Sequence, residues 1–299
     1  VPFEKEGQYL KSDNRSNISY FLEHNVLLRR FTLSVGVLAN YNSALNEGIH
    51  FYPGIDASYR IGDNFRLYGS WNRALRMPTF TDLYYEGKTN KGNPDLKPEE
   101  SEAFEVGLKY NTYFLRAHIA GFYRKGKNMI DWVKEKPEDI WESQNLTKVD
   151  NLGFETNLSL LPRELGNERF FIRKIELGYA FIHQDKDSEG YISNYALDYL
   201  KHKFTAQLSH SIWKGFSATW YVRWQDRAGS YTKYENLKPA YEEPYAPYCL
   251  VDMKVNWEYQ RLNLYAELNN LLNSTYYDLG NIPQPGIWFK AGFRYSFKY

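Results

Sequence analysis

An antiparallel transmembrane β-barrel, all-β throughout, is what this sequence predicts, and three observations carry the prediction. Apolar and polar residues alternate with a period of two over segments of about 9–12 residues, long enough to cross a bilayer at a tilt. The polar positions of those segments hold Glu, Lys and Arg regularly, which suits a wide wet lumen. The connections alternate between tight turns and long loops, the habit of outer-membrane barrels. Soluble β-sandwiches and propellers also show alternation, but their strands usually stop at about 5–6 residues.

From the N-terminus, four weaker segments near residues 15–25, 31–41, 51–61 and 65–74 open the pattern. Phe104, Val106, Leu108 and Tyr110 then oppose Glu105 and Lys109, and Leu115, Ala117 and Ile119 oppose Arg116 and His118. Leu152, Phe154, Leu158 and Leu160 alternate with Gly153, Glu155, Asn157 and Ser159, and Ile175, Leu177, Tyr179 and Phe181 with Glu176 and Gly178. Next come Phe204, Ala206 and Leu208 against Lys203, Thr205 and Gln207, and Phe216, Ala218, Trp220, Val222 and Trp224 against Ser217, Thr219 and Arg223. Cys249, Val251, Met253, Val255 and Trp257 alternate with Asp252, Lys254 and Asn256, and Leu262, Leu264 and Leu268 with Asn263 and Glu267. The last segment sets Phe289, Phe293, Tyr295 and Phe297 against Lys290, Arg294 and Lys298. Because a strand apolar on one face only cannot lie between two apolar layers, each of these separates lipid from lumen.

That makes about thirteen strands. Tight links are expected at Gly62-Asp63-Asn64, Asn111-Thr112-Tyr113, Trp213-Lys214-Gly215 and Gln260-Arg261, and a fairly short one after Leu161. Long loops are expected over 75–100, 124–147, 184–202 and 225–246, facing outward. An antiparallel barrel closes with an even number of strands, so an odd count points to an incomplete, C-terminal part of a larger barrel. Residues 1–299 form one barrel domain in this reading.

The composition narrows the function classes. Thirty-seven Lys+Arg against 36 Asp+Glu leave a formal charge of +1, without the basic blocks of a nucleic-acid binder. Cys249 is the one cysteine, so neither an internal disulfide nor a cysteine zinc cluster can form. The mean hydropathy of −0.63 and the lack of a long apolar run exclude a membrane-spanning helix, but not a barrel. Tyr (27) outnumbers Phe (18) and Trp (8) combined, as interfacial girdles and ligand-binding loops would require. Neither G-x-S-x-G, phosphate loop, HExxH nor cofactor signature is found, so neither an enzyme nor a resident cofactor is expected. Carboxylates such as Glu105, Glu155 and Glu267 read as partners of lumen cations, holding strand register.

The most specific text runs from Ser70-Trp71 through Arg76-Met77-Pro78 and Leu83-Tyr84 to Gly92-Asn93-Pro94-Asp95-Leu96-Lys97-Pro98-Glu99 and Glu105-Val106-Gly107. Pro94 and Pro98 remove backbone donors, so this is a stiffened loop entering a strand. Together with Asn151-Leu152-Gly153-Phe154-Glu155, Leu268-Asn269-Asn270-Leu271-Leu272-Asn273 with Tyr276, and the terminal aromatic Tyr299, it resembles the TonB-dependent outer-membrane transporters. Within that family the spacing is similar to vitamin B12 (cobalamin) receptors and some siderophore receptors. The resemblance spans roughly residues 65–299. It implies a barrel of roughly 22 strands with a plugged lumen in the bacterial outer membrane, energised through TonB–ExbB–ExbD. It also implies uptake of a large scarce nutrient, cobalamin first and a ferric siderophore second. The departure from that pattern is the absence of a plug domain and TonB-contacting segment from these residues. A passive porin or structural outer-membrane barrel is the alternative, with a soluble carbohydrate-binding β protein third.

For ligand contact the loops offer Tyr84, Tyr85, Trp132, Trp141, Tyr231 and Tyr234, with Tyr241 and Tyr245 beside them. Such residues present a large rigid area with a polar tip, although for any single one girdle or loop packing is the leading reading. Charges in 75–100 nearly cancel, with Arg76, Lys88, Lys91 and Lys97 against Asp82, Glu86, Asp95, Glu99 and Glu100, which favours a neutral-type ligand. Asp185, Asp187 and Glu189 occupy positions 1, 3 and 5 of a calcium-loop pattern with Gly190 at 6. Position 12 is Ala196 instead of the bidentate Glu, so an acidic loop is the preferred reading and calcium the weaker one. The six histidines are dispersed without ligand spacing.

Overall fold

The structure, a computed structural model, describes residues 8–9, 11, 14–43, 48–136, 138–166, 169–187, 190–193, 199–235, 238–279 and 282–297. Thirteen strands of eight or more residues are present among them. They are β1 (Asn17–Leu27), β2 (Phe31–Asn42), β3 (Ile49–Ile61), β4 (Phe65–Arg76), β5 (Glu99–Asn111), β6 (Leu115–Lys134) and β7 (Trp141–Leu160). Then follow β8 (Ile172–Asp187), β9 (Tyr199–Trp213), β10 (Phe216–Ala228), β11 (Tyr248–Tyr259), β12 (Leu262–Asn269) and β13 (Trp288–Tyr295). The fold is all-β, and the ladders described between these long strands are antiparallel, as expected, with one short parallel pairing of Trp141 and Glu142 of β7 to Asn90 and Lys91; the strand count agrees.

The chain divides into two compact units, Val1–Leu108 with Gly121–Gly153 and His183–Leu197, and Lys109–Ala120 with Phe154–Ile182 and Asp198–Tyr299. In the first unit β1 pairs with β2, β2 with β3 and β3 with β4, all antiparallel. In the second, the pairs β8–β9, β9–β10, β10–β11, β11–β12 and β12–β13 form a continuous meander. Each strand thus pairs with its neighbours in sequence, the arrangement that short connections favour.

The alternation does what the sequence demands. Val106 (62%), Leu152 (56%), Phe289 (62%) and Phe293 (73%) stand exposed, whereas buried apolar side chains are few among the described residues. A water-soluble sheet would hide such a face; here it is the surface a bilayer covers. On the polar face Glu267 joins Lys254 at 2.8 Å and Lys290 at 2.6 Å across three strands. Cross-strand pairs of opposite charge are worth roughly 0.2–1 kcal/mol each and pin the register.

The tight links fall where expected. Gly62 and Gly215 take φ of 65° and 80°, and Gln260 takes 52°, the left-handed conformations such turns need. The long loops are shorter than expected. Strand β6 continues to Lys134 and β7 begins at Trp141, so most of 124–147 is strand. Asp131, Trp132, Val133 and Lys134 are buried in succession, and packing on both faces erased the period of two that marks the membrane band. Strands β8 and β9 likewise take up parts of 184–202, and 225–246 contains a hairpin, Ser230–Glu235 with Lys238–Pro244.

Candidate functional site

In the first unit, the stretch after β4 folds into a tied corner. Thr79 caps the short helix α1 (Phe80–Tyr84), its hydroxyl accepting from the Asp82 N–H at 3.1 Å while Asp82 Oδ2 accepts from the Thr79 N–H at 2.9 Å. Arg76 donates to both oxygens of the buried Glu99, from Nε at 2.6 Å and Nη2 at 2.5 Å. The Ile130 N–H of β6 donates to the same carboxylate at 2.7 Å. Asn145 of β7 accepts from the Lys97 N–H at 2.8 Å and donates to the carbonyls of Lys97 at 2.9 Å and Asn128 at 2.7 Å. Gly92 leaves no room for a side chain, since a Cβ would stand 2.8 Å from the Leu83 carbonyl carbon. This proline-stiffened motif therefore pins the loop to β6 and β7.

Around that corner the sequence-selected aromatics divide. Tyr84 ends α1, stacked on Phe80 at 6.1 Å with the Lys11 ammonium 5.4 Å from its ring. Tyr85 follows as the C-cap and meets Tyr9 edge-on at 5.8 Å. Trp132, expected on a loop, is buried within β6. Trp141 opens β7 half-buried, with the Lys134 ammonium 4.5 Å over its ring, a cation–π contact. Val133, Lys134, Glu142 and Tyr191 line a nearby cavity of about 320 Å³.

In the second unit a tyrosine shelf forms. Tyr231 lies between Tyr245 at 5.1 Å and Tyr277 at 5.6 Å, the latter stacked. The Lys233 ammonium sits 6.0 Å from Tyr231 and 5.9 Å from Tyr277, and the Arg227 guanidinium 5.4 Å from Tyr245. Burial pushes the Tyr231 phenol up from its ordinary value. Beside these, Tyr248 and Tyr276 approach to 4.6 Å, and the single O–H of Tyr248 is shared between Asp278 Oδ1 at 2.5 Å and Gln225 Oε1. Tyr234 and Tyr241 stand exposed on the hairpin.

Three members of this shelf, Tyr277, Lys233 and Arg227, escaped the sequence reading. The available signal was the Leu268–Asn273 motif, which builds the loop that carries Tyr276 and Tyr277. Asn270, at φ 52°, donates to the carbonyls of Ser274 at 2.9 Å and Pro285 at 3.2 Å, and accepts from the Ser274 N–H at 2.9 Å. Asn273 accepts from the Ile287 N–H at 3.0 Å. Stacked phenols with a cation over them offer a flat polarisable ligand both area and donors.

Of the calcium candidates, Asp185 is engaged by Lys148 at 3.1 Å. Glu189 and Ala196 lie outside the described residues, as does the side chain of Asp187. Among the described residues, no three His, Cys, Asp or Glu side chains gather as metal ligands.

Residues 3–271 match the family described as TonB dependent receptor-like, beta-barrel. The vitamin B12 transporter BtuB of Vibrio vulnificus (strain YJ016) is 26% identical over 225 residues, covering 56% of this chain and 36% of that protein. The ferrienterobactin receptor of Escherichia coli (strain K12) is 22% identical over 297 residues, covering 90% and 38%. The siderophore receptor PirA from Acinetobacter baumannii superimposes with a TM-score of 0.72 at 18% identity, over 97% of this chain and 47% of that one. The chain thus spans little more than a third of these two curated relatives.

Proposed function

Because this chain belongs to the TonB-dependent receptor-like β-barrel family, we propose that the protein containing it is an active-uptake receptor of the bacterial outer membrane. Its energy would come from TonB–ExbB–ExbD, through a plug domain lying outside residues 1–299. Its ligand is a large scarce nutrient, cobalamin first. The observation that carries this reading is the similarity to vitamin B12 transporters, found in Vibrio vulnificus and again in Photobacterium profundum at 23% identity. The near-cancelling charges of the 75–100 stretch support it, since they build no basic funnel for an anionic chelate.

A ferric siderophore is the second reading, and one observation favours it. Lys233 and Arg227 stand over the tyrosine shelf, where an anionic aromatic chelate would find cation and ring together. The passive-porin alternative finds no support among these relatives. Tyr231, Tyr84, Tyr85 and Trp141 remain the proposed ligand contacts, with Tyr231 and Tyr277 the pair placed first; Tyr234, exposed on the hairpin, and Trp132, buried within β6, are placed last. Binding of cyanocobalamin and of ferric enterobactin to the full-length receptor decides between the readings. Saturable cyanocobalamin binding with TonB-dependent uptake supports the first; uptake confined to the ferric chelate overturns it.

A further inference from the structure

In the first unit, the lipid-side face of three consecutive strands passes from rings to charges at one level. Trp71 of β4 and Phe104 of β5 approach to 6.4 Å, so the two share a face, and Phe104 stands exposed there with Val106. Side chains two residues apart on a strand share a face. One step beyond the rings therefore come Arg73 on β4 and Glu102 on β5, with Glu100 above it, and on β6 Lys125 and Lys127 follow the exposed Tyr123. Arg73, Glu100, Ser101, Glu102, Lys125 and Lys127 line one cleft of about 130 Å³. Within it Arg73 holds Glu102 at 3.3 Å and Glu100 at 3.8 Å. Asp150 of β7 and Asp185 of β8 are engaged by Lys148, at 3.4 and 3.1 Å. Lys125 and Lys127, both exposed, have no ion-pair partner among the described residues.

We propose that this cleft binds the phosphate of an anionic membrane lipid, held by Lys125 and Lys127, with the lipid's chains lying along the Trp71 and Phe104 rings. Arg73, Lys125 and Lys127 against Glu100 and Glu102 leave one positive charge, which matches a headgroup carrying one phosphodiester charge. Lysine ammoniums act as compact charges with three donors each and grip a phosphate from any side. Height places the cleft at the headgroups. Arg73 lies eight residues beyond Phe65, which follows the tight turn. At about 3.3 Å per residue and a tilt of about 40°, those residues climb about 20 Å, most of the roughly 25 Å of an apolar band. The cleft opens at the end that carries the long 77–98 link, hence toward the outer leaflet. Its volume suits one phosphate group and excludes a nutrient of cobalamin's size. The proposal rests on the membrane-spanning reading of the strands, and is independent of which nutrient the receptor takes.

Native mass spectrometry of the full-length receptor tests it, in detergent micelles carrying equal amounts of dioleoylphosphatidylglycerol and dioleoylphosphatidylcholine. These lipids share their chains and differ in net headgroup charge. The receptor should retain phosphatidylglycerol over phosphatidylcholine by roughly tenfold. Lys125→Gln/Lys127→Gln should bring the two lipids to parity, whereas Lys125→Arg/Lys127→Arg, which keeps the charge, should keep the preference; the urea midpoint in the same detergent shows that each variant is folded. An equal preference in the unaltered receptor and the folded Gln variant overturns the proposal, as does parity of the two lipids in the unaltered receptor. So does displacement of phosphatidylglycerol by glycerol 3-phosphate at matched ionic strength, because it marks a site for a free phosphate. A receptor that retains neither lipid and stays folded without detergent removes the membrane-spanning reading and the proposal with it, while parity in a receptor that holds both lipids removes the proposal alone.

Discussion

Tyr231 is the side chain on which ligand recognition can be tested most directly. It touches Tyr245 and Tyr277 at once and carries Lys233 over its face. Truncating a central aromatic anchor typically costs about 2 kcal/mol, or roughly 30-fold in affinity. Tyr231→Ala and Tyr277→Ala in the full-length receptor should each weaken equilibrium ligand binding by roughly that factor. Tyr234→Ala, on an exposed position, should change it less than threefold or so; equal losses at Tyr231 and Tyr234 would remove the shelf from the binding site. A different outcome belongs to Asn145, which serves the corner instead of a ligand. Asn145→Ala leaves the Lys97 amide and two carbonyls without their partner, a loss of about 1–3 kcal/mol. Limited proteolysis should then cut within residues 77–98 faster, and an unchanged cleavage rate would show that Asn145 does not hold the corner.

At the scale of the strand, two glycines make room for aromatic rings of the adjacent strand. A Cβ at Gly107 would stand 2.5 Å from the Tyr68 ring, and at Gly292 2.5 Å from the Tyr265 hydroxyl. Tyr68 is held in place, donating to Glu105 at 2.8 Å, and Tyr265 lies under the Lys254 ammonium at 4.6 Å. Gly107→Val and Gly292→Val should each destabilise by about 1–3 kcal/mol through overpacking. Pairing each with Tyr68→Ala or Tyr265→Ala should recover most of the loss, read as a double-mutant cycle on the urea midpoint in detergent. Additive losses would mean the rings and glycines do not compete for space. The sequence made the strands legible because lipid on one side and water on the other enforce a period of two. It lost them in the upper reaches of β6 and β7, where Asp131 to Lys134 are buried in succession and no face is uniformly apolar. The Arg76–Glu99 corner was legible as a motif, but its purpose was not, since Asn145 reaches it from 48 residues away. For the same reason Tyr277 joined Tyr231 only in three dimensions, while Tyr234, selected as another loop aromatic, stands exposed on the hairpin.

For the molecule as a whole, the alternation of link lengths fixes an orientation. Lys214-Gly215 and Gln260-Arg261 are two-residue links, whereas 229–247 and 270–287 are long and carry the tyrosine shelf. Barrels of the outer membrane keep short turns on the periplasmic side and long loops outside. On that rule the shelf would face the medium, which is the sidedness the proposed uptake needs. In a Cys249→Ser background of the full-length receptor, Tyr234→Cys should react with a membrane-impermeant maleimide on intact cells. Lys214→Cys should react only after the outer membrane is permeabilised. Tyr234 is suited to the first role because it is 55% exposed on the hairpin, and Lys214 to the second because it lies in the tight turn between β9 and β10. Labelling of Lys214→Cys on intact cells, with Tyr234→Cys protected, would invert the barrel and withdraw the shelf from any ligand outside the cell. Labelling of both without permeabilisation would deny the chain a membrane-spanning wall between them, and with it the assignment of Phe289 and Phe293 to lipid.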